Sequence, residues 1–169
     1  MNKHTDISDE VLITLRKIIR AIDIHSRQLV KKYGLTGPQL LVLKELSRLN
    51  DTHISVLAER ISLSQPTVTD ILDRLELKQY IHRQRSKNDK RRVMVKITDK
   101  AKEILDKHPS LLQEQFVEEF NTLQDWEQTL ILSSIQRIAN MMKAKEIKAP
   151  PVLVSGPIAA TADDVNKFL

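Results

Sequence analysis

No cysteine occurs in the 169 residues, which excludes a disulfide framework, thiolate zinc sites, iron–sulfur clusters and a thiol redox switch. Glycine is nearly as scarce, at three, and none of them belongs to a phosphate-cradling loop. Aromatic residues make up 4% of the chain, leaving little material for a cage around a quaternary ammonium. The five histidines (His4, His25, His53, His82 and His108) lack the close spacing that metal sites favour, so no metal and no cofactor is expected. No apolar run approaches the roughly 18 residues of a membrane span. The start of the chain carries Asp6, Asp9 and Glu10 where a secretory leader would be basic and apolar, so the expected location is cytoplasmic. No nucleophile–base pair assembles from the sequence, and an enzyme is not expected.

Apolar residues (41%) and charged residues (29%) are sufficient for a packed interior and a soluble surface, in one domain or two small ones sharing a core. The net charge of +5 is unevenly distributed. Between residues 83 and 102, nine cations face two anions, a local surplus of seven, so the remainder sums to two negative. A basic segment on a faintly acidic protein is the footprint of a polyanion-binding element or, read more simply, a solvated charged hairpin.

Residues 11–32 place Val11, Leu12, Leu15, Ile18, Ile19, Ile22 and Leu29 on one helical stripe. Gly34 is expected to end that helix. Thr36-Gly37-Pro38-Gln39 then reads as a capping box that opens a second helix carrying Leu40, Leu43, Leu46 and Leu49. A short helix is predicted over 55–61 and another over 64–79. Past Tyr80 the period changes to two, predicting strands over 81–86 and 92–97 with a turn at Lys87-Asn88-Asp89-Lys90. Thr98 or Asp99 caps a further helix, which Pro109 must interrupt or kink. Helical spacing resumes through Leu112, Phe116 and Phe120 and again from Trp126 to Met142, and Ala149-Pro150-Pro151 ends regular structure.

The segment 54–75 carries the most specific signal. Two closely crossing helices need a small residue midway along the first, and Ala58 supplies it, flanked by Leu57 and Ile61. Ser62 stands at the turn, Leu63 plugs it, and Ser64 is a good N-cap. Val68, Ile71, Leu72 and Leu75 face inward on the second helix. This is a helix-turn-helix followed at once by a basic hairpin, hence a winged one. Recognition helices present their N-terminal residues to the major groove, which singles out Ser64, Gln65, Pro66, Thr67, Thr69, Asp70 and Arg74. Gln65 suits adenine, the threonines a thymine methyl or a base edge, Asp70 cytosine N4, and Arg74 guanine or phosphate. The plainer alternative is a solvated face with Asp70 and Arg74 as an i,i+4 ion pair. In the hairpin, Arg91 suits a narrow minor groove, with Arg83, Arg85, Lys87 and Lys90 at phosphates. Asp70 and Asp73 sit awkwardly near DNA and motivate a rival reading, a winged module that binds a partner protein.

With these motifs in view, the chain resembles the MarR family of transcriptional regulators over roughly residues 8–146. The resemblance is carried by Leu35-Thr36-Gly37-Pro38-Gln39, Val56-Leu57-Ala58-Glu59-Arg60, the run from Ser64 to Glu76, and Asp89-Lys90-Arg91-Arg92 followed by Val95-Lys96-Ile97-Thr98. It implies a mainly α fold with a small β-hairpin wing, in an intertwined helical homodimer whose two winged domains meet a pseudo-palindromic DNA operator. In many members a small molecule entering the gap between the dimer helices and the reading domain releases DNA. His25, Gln28, Tyr33 and Phe116 are the candidates to line such a gap, although the histidine and the aromatics read first as core or interface residues. Residues 31–46 also resemble the subgroup that controls ectoine and other compatible-solute genes, which implies ionic strength or an osmolyte as effector. The expected organisation is a helical dimerisation region (8–34 and 99–147), a winged helix-turn-helix domain (35–98) and a tail (148–169) with no assigned role. Independently of the resemblance, the winged part is too small to cover the apolar stripes of three further helices, which should meet another copy.

Overall fold

The computed structural model describes residues 6–49, 52–85, 93–147, 149 and 151–154. Lys87, Lys90 and Arg91 lie outside the described residues, and Arg85 is described in its backbone alone. The first helix, α1, spans Ile7–Tyr33. Asp6 accepts from the Ser8 N–H at its start, Asp9 and Glu10 lie in the first turn, and Lys31 and Lys32 lie in the last, each sign matched to the helix dipole. Gly34 ends the helix at φ 67°, in the left-handed region, with its N–H donating to the Val30 carbonyl.

Helix α2 (Gly37–Leu49) is the centre of the winged part and buries Gly37, Pro38, Gln39, Leu40, Val42, Leu43 and Leu46. Half of the expected capping box forms: Gln39 Oε1 accepts the Thr36 N–H at 3.1 Å. The Thr36 hydroxyl, expected to return that bond, is buried without a hydrogen-bond partner. Next comes a strand the residue pattern does not announce, β1 (Thr52–His53), and then α3 (Ile54–Arg60). At the corner Ser62 takes φ 54° and the Leu63 N–H donates to the Ala58 carbonyl. Ser64 then caps α4 (Gln65–Leu77), accepting from the Thr67 N–H.

The wing strands are β2 (Ile81–Arg85) and β3 (Val93–Ile97). Strand β3 is central in an antiparallel sheet of order β1-β3-β2, with Thr52 opposite Val95 on one side and Arg83 opposite Val95 on the other. Thr98 caps α5 (Asp99–Leu105), and its hydroxyl also donates to the Gln79 carbonyl at 2.9 Å. Pro109 is buried in the break between α5 and α6 (Leu112–Phe120), so it interrupts the helix as its chemistry requires. The last helix is α7 (Asp125–Met141).

The core gathers Leu35, Leu40, Leu43, Leu57, Ala58, Val68, Ile71, Leu72, Leu75, Ile81 and Val95, all from the winged part or its entry, with Leu29, Ala101 and Leu111 at the edge. Neither α6 nor α7 buries a single residue. Ile19 is 64% exposed, Trp126 66%, Leu130 59% and Ile135 54%, so an apolar face runs along α1 and α7. The tail does not simply trail away: Val152 is only 3% exposed.

Candidate nucleic-acid interface

The inner face of α4 determines what its outer face presents. Val68, Ile71, Leu72 and Leu75 are each at most 1% exposed, which anchors the helix and turns Ser64, Gln65, Pro66 and Asp70 to solvent. Thr67, Thr69 and Arg74 are half-buried. The Ser64 and Thr67 hydroxyls bond each other at 2.8 Å, organising the first turn. Thr69 donates its hydroxyl to the Gln65 carbonyl at 2.9 Å, so its methyl is what it can offer to a base. Among the described residues, no hydrogen bond or ion pair holds the Gln65 amide or the Asp70 carboxylate, and Asp70 and Arg74 do not pair.

The structure joins Arg83 to Asp73, two residues that sequence reasoning placed in different roles. The Arg83 side chain is 20% exposed; its Nη1 lies 2.6 Å from Asp73 Oδ1, and its Nε lies 3.6 Å from Glu76 Oε2. Its Nη2 donates to the Thr69 carbonyl, and its backbone N–H donates to Glu76 Oε1. The guanidinium thus clamps the wing strand β2 to α4, and its charge is met inside the chain. The signal for this was present in the strand period. Ile81 is buried and His82 exposed, so Arg83 shares the inward side with Ile81. Asp73 and Glu76, three apart, share a face of α4. Because the Asp73 side chain is 53% exposed, solvent screens the pair, and a double-mutant cycle of Asp73→Ala and Arg83→Ala should give a coupling of about 1 kcal/mol in denaturant unfolding. Additive effects would show that the clamp contributes nothing.

Further cations are committed to the wing's base. Lys100 Nζ donates to the Lys78 carbonyl and sits 4.9 Å from the centre of the Tyr80 ring. Burial raises the Tyr80 phenol above its ordinary range, which keeps that ring neutral under the ammonium. Lys78 Nζ donates to the Gly34 carbonyl at 2.7 Å, linking the end of α4 to the end of α1.

The four effector candidates meet different surroundings. His25 Nε2 is 3.2 Å from the Ser110 carbonyl. Gln28 lines a cavity of about 400 Å³ with Ile24, Arg27, Val30 and Lys31. Tyr33 packs against the core beneath Lys32, while Phe116 stacks on Phe120 with ring centres 5.4 Å apart. Among the described residues no cluster of His, Asp or Glu is placed to hold a metal ion, and no helix is long and apolar enough to cross a membrane.

The MarR family model matches residues 35–93, the stretch from the entry of α2 to the start of β3. The chain is 33% identical over 102 residues to the HTH-type transcriptional regulator SarZ of Staphylococcus epidermidis, covering 60% of this chain and 68% of that protein. The chain belongs to the MarR family. This MarR-family protein is also 26% identical over 132 residues to the HTH-type transcriptional regulator YsmB of Bacillus subtilis, covering 78% of this chain and 90% of that one. Its fold matches a variant of Escherichia coli MarR solved in complex with operator DNA (TM-score 0.54, 20% identity, 81% of this chain and 99% of that one). It likewise matches the transcriptional regulator BldR of Sulfolobus solfataricus (TM-score 0.52, 26% identity, 83% and 99%). The protein is therefore a winged helix-turn-helix transcriptional regulator and not an enzyme.

Proposed function

We propose that this MarR-family regulator works as a homodimer that binds a pseudo-palindromic duplex operator sequence-specifically and represses the genes beside it. The observation that carries the reading is the N-terminal end of α4, where an organised first turn on a well-anchored helix presents a Gln65 amide that no described residue holds. On this reading Gln65, Thr67, Thr69 and Asp70 face base edges, Ser64 and Pro66 shape the turn, and Arg74 reaches guanine or phosphate. Arg85, Lys87 and Lys90 serve phosphates and Arg91 enters the minor groove. Arg83 acts through Asp73 as a positioning residue, setting the wing against α4. Residues 35–98 form the DNA-binding domain, while 8–34 and 99–147 form the dimerisation region, consistent with the apolar exposure of α1, α6 and α7.

Support for the duplex as partner comes from the related fold solved on operator DNA. The rival reading, a module for a partner protein, drew on Asp70 and Asp73, and it loses the second carboxylate to Arg83. A small-molecule or ionic-strength effector acting near His25, Gln28, Tyr33 and Phe116, and control of compatible-solute genes, remain extensions of the family resemblance. Titrating an osmolyte and salt separately into the operator complex tests them.

Selection from random duplexes tests the central claim. The expected product is an inverted repeat with half-site centres about one helical turn, roughly 10 base pairs, apart. Gln65→Ala should lose about 1–3 kcal/mol of discrimination at one position in each half-site, while Arg91→Ala weakens all duplexes alike. A selection that enriches no repeat, or a Gln65→Ala protein with unchanged preferences, overturns the reading.

A further inference from the structure

Residues 151–154 return from the end of α7 to the junction of two other elements. Val152 is 3% exposed and belongs to the core. The Leu153 N–H donates to Gln113 Oε1, in α6, at 3.0 Å. Val154 fills the space beside Gly37, the first residue of α2: an ideal Cβ there would lie 2.5 Å from Val154 Cγ1, with Leu111 Cδ2 at 3.8 Å. Gly37 does not have a positive φ, so its backbone would accept any residue, and it is the approach of Val154 that requires glycine.

The two anchors lie on opposite sides of a joint. Gly37 opens α2 and thus the winged part, whereas Leu111 and Gln113 open α6 in the helical part. A polar contact crosses this joint nearby, from Lys44 in α2 to Glu114 in α6 at 2.6 Å. The tail adds an apolar wedge beside Gly37 on one side of the gap and a hydrogen bond from its own backbone to the Gln113 side chain on the other.

We infer that residues 151–154 are a built-in strap that fixes the winged part against the helical part, and that releasing it weakens operator binding. The argument rests on the proposed DNA reading. A duplex engaged at two half-sites requires both winged parts at a set angle, and a joint already held leaves less freedom to be lost on binding.

The full-length chain with Gly37→Ala tests this. Alanine is the better helix former, so α2 should not suffer, while its methyl displaces Val154. Hydrogen exchange at the Leu153 amide reads the strap directly, and titration with the selected operator reads its effect. The expected result is exchange faster by about tenfold or more and a Kd raised about three- to tenfold. Adding Val154→Ala to Gly37→Ala should restore both, because the Val154 Cβ stands 3.9 Å from the new methyl position, an ordinary contact. A Leu153 amide that already exchanges freely in the unaltered protein refutes the strap. Faster exchange with Kd unchanged within twofold refutes its coupling to DNA. An unaltered protein that binds no duplex at low salt refutes the DNA reading itself, and loss of Leu153 protection on Gly37→Ala would then still report whether the strap docks.

Discussion

Between about 50 and 200 mM salt, the affinity of this regulator for its operator should fall roughly a thousandfold to a hundred-thousandfold. The reason is the release of counterions from phosphates neutralised by lysine and arginine, here drawn from a segment with nine cations against two anions. The range corresponds to about three to five phosphate contacts from each subunit of a dimer. The structure refines how those contacts divide among residues. Arg83 is held by Asp73 and Glu76, so Arg83→Ala should leave the slope of log affinity against log salt unchanged even if it lowers affinity by loosening the wing. A wing residue that meets phosphate should, when removed, reduce the slope by about one per subunit. Filter binding across a salt series supplies both readouts, and a flat dependence rules out phosphate-driven binding altogether.

Placing charges on the apolar face of α7 should have the other large effect. Leu130→Glu combined with Ile135→Glu is expected to yield a monomer that binds the operator at least a hundredfold more weakly. Both side chains are more than half exposed in the single chain, Ile135 at the edge of an open groove against α1, so neither substitution enters a closed interior within one subunit. Buried between two copies, however, the carboxylates would be desolvated without partners. A lone subunit grips one half-site and forfeits the gain from linking two binding events, about 10² to 10⁴ in affinity. Sedimentation gives the oligomeric state, and circular dichroism shows that the helices persist. If the double variant stays dimeric with full affinity, the dimerisation surface lies elsewhere.

Local rules were enough for the parts of the fold made by neighbours in sequence. Gly34 closes α1, Ser64 caps α4, Thr98 caps α5 and Pro109 separates α5 from α6, each by chemistry that acts within a turn. The alternation of Val93, Val95 and Ile97 likewise marked β3. Strand β1 escaped notice because two residues have no period; it exists only because Thr52 and His53 meet the free side of β3. The recognition-helix residues were legible as a face, yet the clamp from Arg83 to Asp73 depends on how β2 packs across α4. The strap is the least local feature. Nothing near Val154 indicates that its place is reserved by a missing side chain at Gly37.

The absence of any buried residue in α6 and α7 has a consequence for supply. On the proposed dimer, newly made chains would carry an uncovered apolar flank until two of them meet, so assembly and folding would be linked by mass action and the yield of working regulator would depend on how much is made. Abundance would then act as an input in its own right: halving synthesis would thin the pool of such pairs by more than half.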